Sequence, residues 1–474
     1  MTARLRLTLT LAAMIASMLA ISPARTLAGL APQSPSLATP QAGSTTPSDQ
    51  GTETLARDIV NDLAARNFDK VEARYSAAMV QALPHGKLAA VWDQVGAQVG
   101  SFKSIRKVDL GEAGGNRLAV VTCDFERGAL AVKLAFGGDN HLVGLFFAPA
   151  ESATSPWTPP DYAHPASFRE QAVTVGKDPL SLPGTLTLPT GKGPFPAVVL
   201  VHGSGPNDQD ETLGPNKVFK DLAWGLSSQG VAVLRYNKRT LQYPDSFKGE
   251  STVKQETTDD ATAAVGLLAG RPEIDPQRIF VVGHSLGAAL APRIAKGDPQ
   301  VAGIVIMAGN TRPLEDLVVE QVKYQVSLMG KSTPEGDKAI TDAEKFAAEV
   351  RSPDLKPSQT LSVLGAPVPG SYFLDLRGYD PAETAASLKI PILVLQGARD
   401  CQVRMADFDG WKRALAGDTR ATFHLYPNLY HLFIPVPASD TTALSTPADY
   451  QQPGHVAPEV INDIGGWIQA QNGR

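Results

Sequence analysis

The stretch RIFVVGHSLGAAL, Arg278–Leu290, runs from a β-branched apolar segment through a serine flanked by glycines into an alanine-rich segment. A short apolar run closed by a turn signal reads as a strand buried on both faces, and the Ala/Leu run beyond it reads as a helix. Between them stands the pattern G-x-S-x-G, formed by Gly283, His284, Ser285, Leu286 and Gly287. Glycine at both positions lets the chain turn sharply enough to lift the serine hydroxyl above the sheet edge, over the amino end of the helix. The five letters alone are common, and a glycine-rich turn with an incidental serine would share them. The strand before and the helix after are what make Ser285 a candidate nucleophile.

The same alternation continues on both sides. PAVVLVHGSG, VAVLRYNKR, VAGIVIMAG and PILVLQGARD are continuous apolar strands, most of them followed by helical stretches such as KVFKDLAWGLSSQG and TDDATAAVGLLAG. This predicts an α/β fold with a mostly parallel sheet, helices on both faces, right-handed crossovers, and ligand sites at the carboxyl ends of the strands. The candidate chemistry falls at those ends.

A serine alcohol is a weak nucleophile at neutral pH, so a base must take its proton and a carboxylate must orient that base. PILVLQGARDCQV ends a strand with Asp400, and FHLYPNLYHLF carries His431 in the loop after the next strand. The chain order Ser285, Asp400, His431 is the order this topology requires. Among the other histidines, His202 and His284 sit in glycine turns, His424 lies within a strand, and His455, before the last helix, is the main rival base. The oxyanion needs backbone donors: the amide of Leu286, directly after the nucleophile, and one from the turn HGSGP, His202–Pro206, where the Ser204 amide is preferred and Gly203 is the alternative.

On these motifs, the region from Phe168 to the end resembles the α/β-hydrolases. The stretch HGSGPNDQDETLGPNKVFKDLAWGLSSQGVAVLRYNKRT is similar to a bacterial group of serine esterases, as are GHSLG, GSYFLDLRGYDP and LVLQGARDCQV. The resemblance implies an esterase acting on carboxylic esters through Ser285, Asp400 and His431, with no cofactor. Two positions depart from the group's pattern, Gln209 where an arginine is expected and Cys401 where an aromatic is expected, and they bear on substrate preference.

Helical patterns at LEDLVVEQVKYQVSLMG, GDKAITDAEKFAAEV and PAETAASL predict a cap inserted over about 311–387. Its Val318, Val319, Val322, Val326 and Leu328 either line an acyl pocket or pack on the sheet, and packing is the commoner role. The half-match GKST at Gly330–Thr333 lacks the first glycine of a phosphate loop because Gln325 stands there, and no metal-ligand pattern such as H-E-x-x-H is present. The acidic cluster Asp208, Asp210 and Glu211 either supports the oxyanion turn or contacts the cap, paired with Lys217, Lys238 or Arg239 because clustered carboxylates near a strand end are costly unless paired, or it is a solvated loop. The resemblance, which carries the segment as a block, implies the structural role.

Ahead of the hydrolase region, residues 52–149 read as helices followed by an antiparallel sheet, a small α+β domain. Its layout is similar to the cone-shaped α+β domains that precede some bacterial hydrolases. Phe136, Phe146 and Phe147 are candidates for a pocket there, although aromatics on strands more often belong to a core. Segments 29–51 and 150–166, rich in Pro, Ser and Thr, read as linkers. At the start, Arg4 and Arg6 precede the apolar run Leu7–Ile21, and Thr26 and Ala28 follow in small-x-small spacing. This predicts a signal peptide over 1–28 cut after Ala28, with Ala24 as the second candidate, and places the protein in the periplasm or outside the cell, with no stable membrane insertion after cleavage. An uncleaved anchor is the competing reading.

The chain has 474 residues, 43% hydrophobic and 19% charged, enough for a large core in more than one domain. A formal net charge of −5 and the lack of any Lys/Arg-rich run give no field for phosphates, which excludes nucleic acid as a partner. The two cysteines, Cys123 and Cys401, are too few for a disulfide framework and are taken as free. Three functions then compete: an esterase for small-molecule esters; a serine peptidase or amidase of the same fold, disfavoured by Ala288 after the elbow; and a binding protein acting through the N-terminal domain.

Overall fold

The computed structural model describes residues 47–471, apart from 114–115, 127, 150–156, 248, 331 and 437–442. The predicted signal peptide and the linker up to residue 46 lie outside the described residues. The chain divides into two compact units, the first ending at Ser155 and the second running from Pro156 onward.

The first unit opens with α1 (Pro47–Ala64), α2 (Phe68–Glu72), α3 (Ala77–Ala82) and α4 (Leu88–Val99). The stretch read as linker to residue 51 therefore ends inside α1, whose first turn tolerates Pro47 because its missing N–H would have had no helical partner. Strands β1 (Phe102–Ala113), β2 (Asn116–Phe125), β3 (Gly128–Phe136) and β4 (Leu142–Pro149) form an antiparallel meander in sequence order. Alternate residues of β2 and β3, Ala119, Val121, Cys123, Phe125, Leu130, Val132, Leu134 and Phe136, face a core shared with Ile59, Leu63 and Trp92. Phe136 is thus core, Phe147 leans on Trp92 with ring centroids 5.8 Å apart, and Phe146 on the other face is 62% exposed. Glu72 is buried, and its carboxylate accepts from the amides of Gly86, at 2.8 Å, and Leu88, at 3.4 Å, at the start of α4.

The second unit is built on an eight-stranded sheet of β5 (Phe168–Val175), β6 (Leu182–Pro189), β7 (Phe195–Val201), β10 (Ala232–Tyr236), β11 (Ile274–His284), β12 (Val301–Met307), β15 (Ile392–Gly397) and β16 (Ala421–Tyr426). Its order is β16-β15-β12-β11-β7-β10-β6-β5, parallel from β16 to β10 and antiparallel beyond. The short ribbon β8 (Thr212–Leu213) with β9 (Asn216–Lys217) lies in the loop after β7. Continuous apolar strands bury both faces: in β7, Ala197, Val199 and Val201 look to one side and Val198 and Leu200 to the other. The first side is covered by α7 (Asp259–Ala269), α8 (Leu286–Gly297), α12 (Pro381–Ser387) and α13 (Met405–Ala414). The second is covered by α5 (Val218–Ser228) and α14 (Pro458–Ala470). A one-turn α6 (Arg239–Gln242) follows β10.

Between β12 and β15 lies the insertion expected over 311–387. It holds α9 (Leu314–Ser327), α10 (Pro334–Arg351), a hairpin of β13 (Thr360–Val363) and β14 (Ala366–Pro369), and α11 (Gly370–Leu376). The last helix expected in it, α12, instead packs Ala382 and Ala385 into the sheet core, because a parallel strand pair needs a crossover helix there. Thr333, in the rejected phosphate-loop match, caps α10 by accepting from the amide of Gly336 at 3.1 Å. Among the described residues no helix is long and apolar enough to cross a membrane.

Candidate active site

Ser285 occupies the turn between β11 and α8 with φ 54° and ψ −119°, a region that costs a non-glycine residue about 1–3 kcal/mol and persists only where neighbours hold it. The hold comes from both sides: its amide donates to Met307 O at 2.9 Å and its carbonyl accepts from Ala288 and Ala289, each at 3.0 Å. A Cβ on Gly287 would stand 2.2 Å from Val201 O, and one on Gly283 would stand 2.3 Å from Gly287 O. These are backbone contacts that no side-chain movement relieves, so the two glycines are what allow the turn.

Asp400 follows β15 and His431 follows β16. Leu429 O accepts from Arg399 N at 3.0 Å and Tyr426 O from Ala398 N at 2.9 Å, which stitches the histidine loop to the aspartate turn. The approach is close enough that a Cβ on Gly397 would meet Leu429 O at 2.4 Å. His431 Nδ1 is 2.7 Å from Asp400 Oδ2, with both residues buried. The other carboxylate oxygen accepts from the amides of Gln402, at 2.7 Å, and Val403, at 3.0 Å, which fixes its plane. Ser285 and His431 line one cavity together with Ser204 and Leu286. The rival His455 sits 3.0 Å from Asp221, whose carboxylate also holds Trp157 and the Val456 amide, and does not line this cavity. His424 likewise pairs with Asp463 at 2.7 Å.

The two oxyanion amides proposed from sequence, those of Leu286 and Ser204, have no hydrogen-bond acceptor among the described residues. The alternative donor, Gly203 N–H, is taken by Glu211 Oε1 at 2.8 Å. The acidic cluster therefore supports the turn, with partners that differ in part from those expected. Asp210 pairs with Lys217 at 2.9 Å and also with the buried Arg235 at 2.5 Å. Asp208 closes its own turn by accepting from the Thr212 amide at 2.9 Å. Lys238 pairs with Glu256 and Arg239 with Asp260.

Glu211 is buried against His284, Oε2 to Nδ1 at 2.9 Å, an ion-pair contact without the alignment of a linear hydrogen bond. Burial opposes charge on both groups, and their mutual attraction outweighs it, raising the His284 pKa and lowering that of Glu211. His284 Nε2 then donates to His431 O at 2.9 Å. His202, by contrast, is pushed down to about 4 by burial and donates from Nε2 to Asp208 O at 3.0 Å. Sequence reading placed both histidines in turns without seeing that they brace the oxyanion loop and the His431 backbone.

On α9 two helical stripes divide the work of the cap. Val318, Val322 and Val326, four apart, pack inside it, and Leu314, Leu317 and Gln321 line the Ser285 cavity. Val319 is half-buried and Leu328 is 45% exposed, so the five residues expected to pack or to line the pocket do not act as a set. Gln321 ties the cap to the aspartate turn, its Nε2 donating to Gln402 O at 3.1 Å. A neighbouring cavity of 430 Å³ shares Leu286, Asn310 and Leu314 with the one over Ser285 and is also lined by Ala289, Phe373 and Tyr379. Burial drives the thiols of Cys123 and Cys401 up to about 12, so neither is a nucleophile at neutral pH.

A mostly parallel sheet with a strained serine turn at the carboxyl end of a central strand, a buried His–Asp pair on the loops that follow β15 and β16, and a cap insertion defines an α/β-hydrolase. Residues 194–435 match the family described as serine aminopeptidase, S33, and residues 56–145 match a family of proteins of unknown function, DUF3887. The chain is 38% identical over 413 residues to Esterase EstD of Thermotoga maritima, a match spanning 86% of this chain and 93% of that protein. It belongs to this family of α/β-hydrolase esterases. A shorter match, 28% identical over 170 residues, joins 36% of this chain to 49% of thiohydrolase apmlB of Arthrinium phaeospermum. Among solved structures, Est1E from Butyrivibrio proteoclasticus aligns over 63% of this chain and 99% of that one, at 13% identity and a TM-score of 0.41.

Proposed function

We propose that this chain is an exported serine hydrolase of small carboxylic esters that works through an acyl-enzyme. The observation that carries the reading is that one cavity is lined by Ser285, by the Asp400-paired His431 and by Leu286 and Ser204, whose amides have no acceptor among the described residues. Ser285 Oγ bonds to the ester carbonyl carbon while His431 Nε2 takes its proton, and the carbonyl oxygen gains the electron pair between the two amides. Collapse breaks the C–O bond, the alcohol leaves with the proton from His431, and water repeats the sequence to free the acid. Asp400 holds the imidazole in the required tautomer. The relative named Esterase EstD supports ester chemistry. The 430 Å³ cavity beside Leu286, lined by Ala289, Leu290 and Phe373 together with charged residues such as Arg312 and Asp380, has the size for one side of a small ester. Export is proposed on the charged and apolar pattern of residues 1–28, and mature protein beginning at Gly29 would be its signature.

The test is hydrolysis of p-nitrophenyl esters from acetate to long acyl chains by the mature protein and by Ser285→Ala. Turnover that vanishes in the variant is expected, with a preference for short to medium acyl groups. A folded protein that turns over no ester, or cleaves amino-acid p-nitroanilides instead, would overturn the esterase assignment.

A further inference from the structure

Lys238, just past β10, is 2% exposed, and its ammonium lies 2.7 Å from Gly203 O and 3.3 Å from Glu256 Oε1. Glu256 is itself buried and accepts at Oε2 from the hydroxyl of Tyr372, on α11 of the cap, at 3.0 Å. A fully buried lysine aimed at a backbone carbonyl is an expensive arrangement, because its charge has left water. The carbonyl it grips belongs to the peptide unit whose other end is the N–H of Ser204. That bond is not among the cis bonds of the described residues, and in a trans peptide the C=O and N–H point in opposite directions. Holding the Gly203 oxygen on the buried side therefore turns the Ser204 N–H toward the cavity that Ser204 lines. The preceding unit is anchored as well, by Glu211 on the Gly203 amide, and Asn207 Nδ2 adds a longer bond to the Gly203 oxygen at 3.3 Å.

We propose that Lys238 is the positioning residue that presents the Ser204 amide to the oxyanion, an inference that rests on the serine hydrolase reading above. It touches neither substrate nor reacting atoms. The ammonium fixes the peptide plane and polarises it, which strengthens the N–H as a donor. Without it the plane can rotate, and a carbonyl oxygen facing the cavity repels the charge that forms when Ser285 attacks. Because that charge exists only in the transition state, the loss falls on kcat and spares KM.

The experiment compares Lys238→Met with wild type and Ser285→Ala, as full chains, on p-nitrophenyl butyrate and on a trifluoromethyl ketone that forms a tetrahedral adduct with the serine. Since Lys238→Met strands the Glu256 carboxylate, the neutral pair Lys238→Met/Glu256→Gln is made alongside and read if the single variant does not fold. The expected result is a fall in kcat of about 10²-fold, the scale of losing one oxyanion donor, with KM within about twofold and ketone affinity falling in step with kcat. A folded variant that keeps wild-type kcat, or one in which KM rises as much as kcat falls, overturns the proposal and leaves the serine reading standing. Wild-type turnover that survives Ser285→Ala takes both down.

Discussion

The two units bury charge very differently. In the first, Glu72 is the one buried charged residue among the described residues, and it is spent on backbone amides at the start of α4. In the second, Glu211, Lys238, Glu256, His284, Asp400 and His431 are all buried around the carboxyl ends of the parallel strands. An isolated buried charge costs more than a fold gains from it, so such groups persist where they are paired and where their orientation is used. The first unit reads as a structure held by packing, and the second as packing arranged around a polar network.

That contrast can be broken most sharply at Asp400. Asp400→Asn keeps the shape but favours the wrong imidazole tautomer, and kcat on p-nitrophenyl esters should fall by about 10⁴-fold with little change in melting temperature. Equal activity in the variant would mean that the pair is structural only, like Glu72.

Glu211→Gln separates stability from chemistry. Removing one partner of a buried pair costs about 3–5 kcal/mol, read as a lower melting temperature, and it also weakens the anchor on Gly203 N–H. The pH dependence has a defined sign. The lowered pKa of Glu211 gives stability that is present above its ordinary value of 4.5 and lost as pH falls through the folded value. The raised pKa of His284 gives stability that is present below its ordinary 6.5 and lost as pH rises through the folded value. The gap in melting temperature between wild type and variant should therefore be widest between those two values and narrow on either side. A gap independent of pH would show that the two groups are not ionised together.

The smallest effect is expected in the first unit. Glu72→Ala leaves the Leu88 amide buried without its acceptor, at a cost of about 1–3 kcal/mol. Ester turnover by the second unit should stay at the wild-type rate, and a loss of turnover at constant stability would give the first unit a part in the chemistry.

How far the sequence was legible follows the same division. Backbone necessity leaves a local trace: Gly283 and Gly287 announce the serine turn because nothing larger fits, and Asp400 and His431 announce themselves by standing just after apolar strands. Periodicity revealed the cap helices, but not that Leu317 and Gln321 face the site while Val318 and Val322 face inward, since that depends on how α9 lies. The hairpin of β13 and β14 was missed, each strand being only 4 residues long and its partner equally short. The acidic cluster's support of the oxyanion turn was legible, but most of the network's partners were not, because they are distant in sequence. Lys238 and Gly203 are 35 residues apart, and His284 and His431 are 147 apart. The available signal was the clustering of Asp208, Asp210 and Glu211 in the loop after β7, with Lys238 just past β10.

The central claim is that Ser285 carries the acyl group. Mass spectrometry of the mature protein after reaction with a fluorophosphonate, followed by digestion and fragment sequencing, tests it at the atom concerned. One adduct on the peptide containing Ser285, absent in Ser285→Ala and much slower to form in His431→Ala, is the predicted result. An adduct on another residue, or none on a protein that still hydrolyses esters, would contradict it.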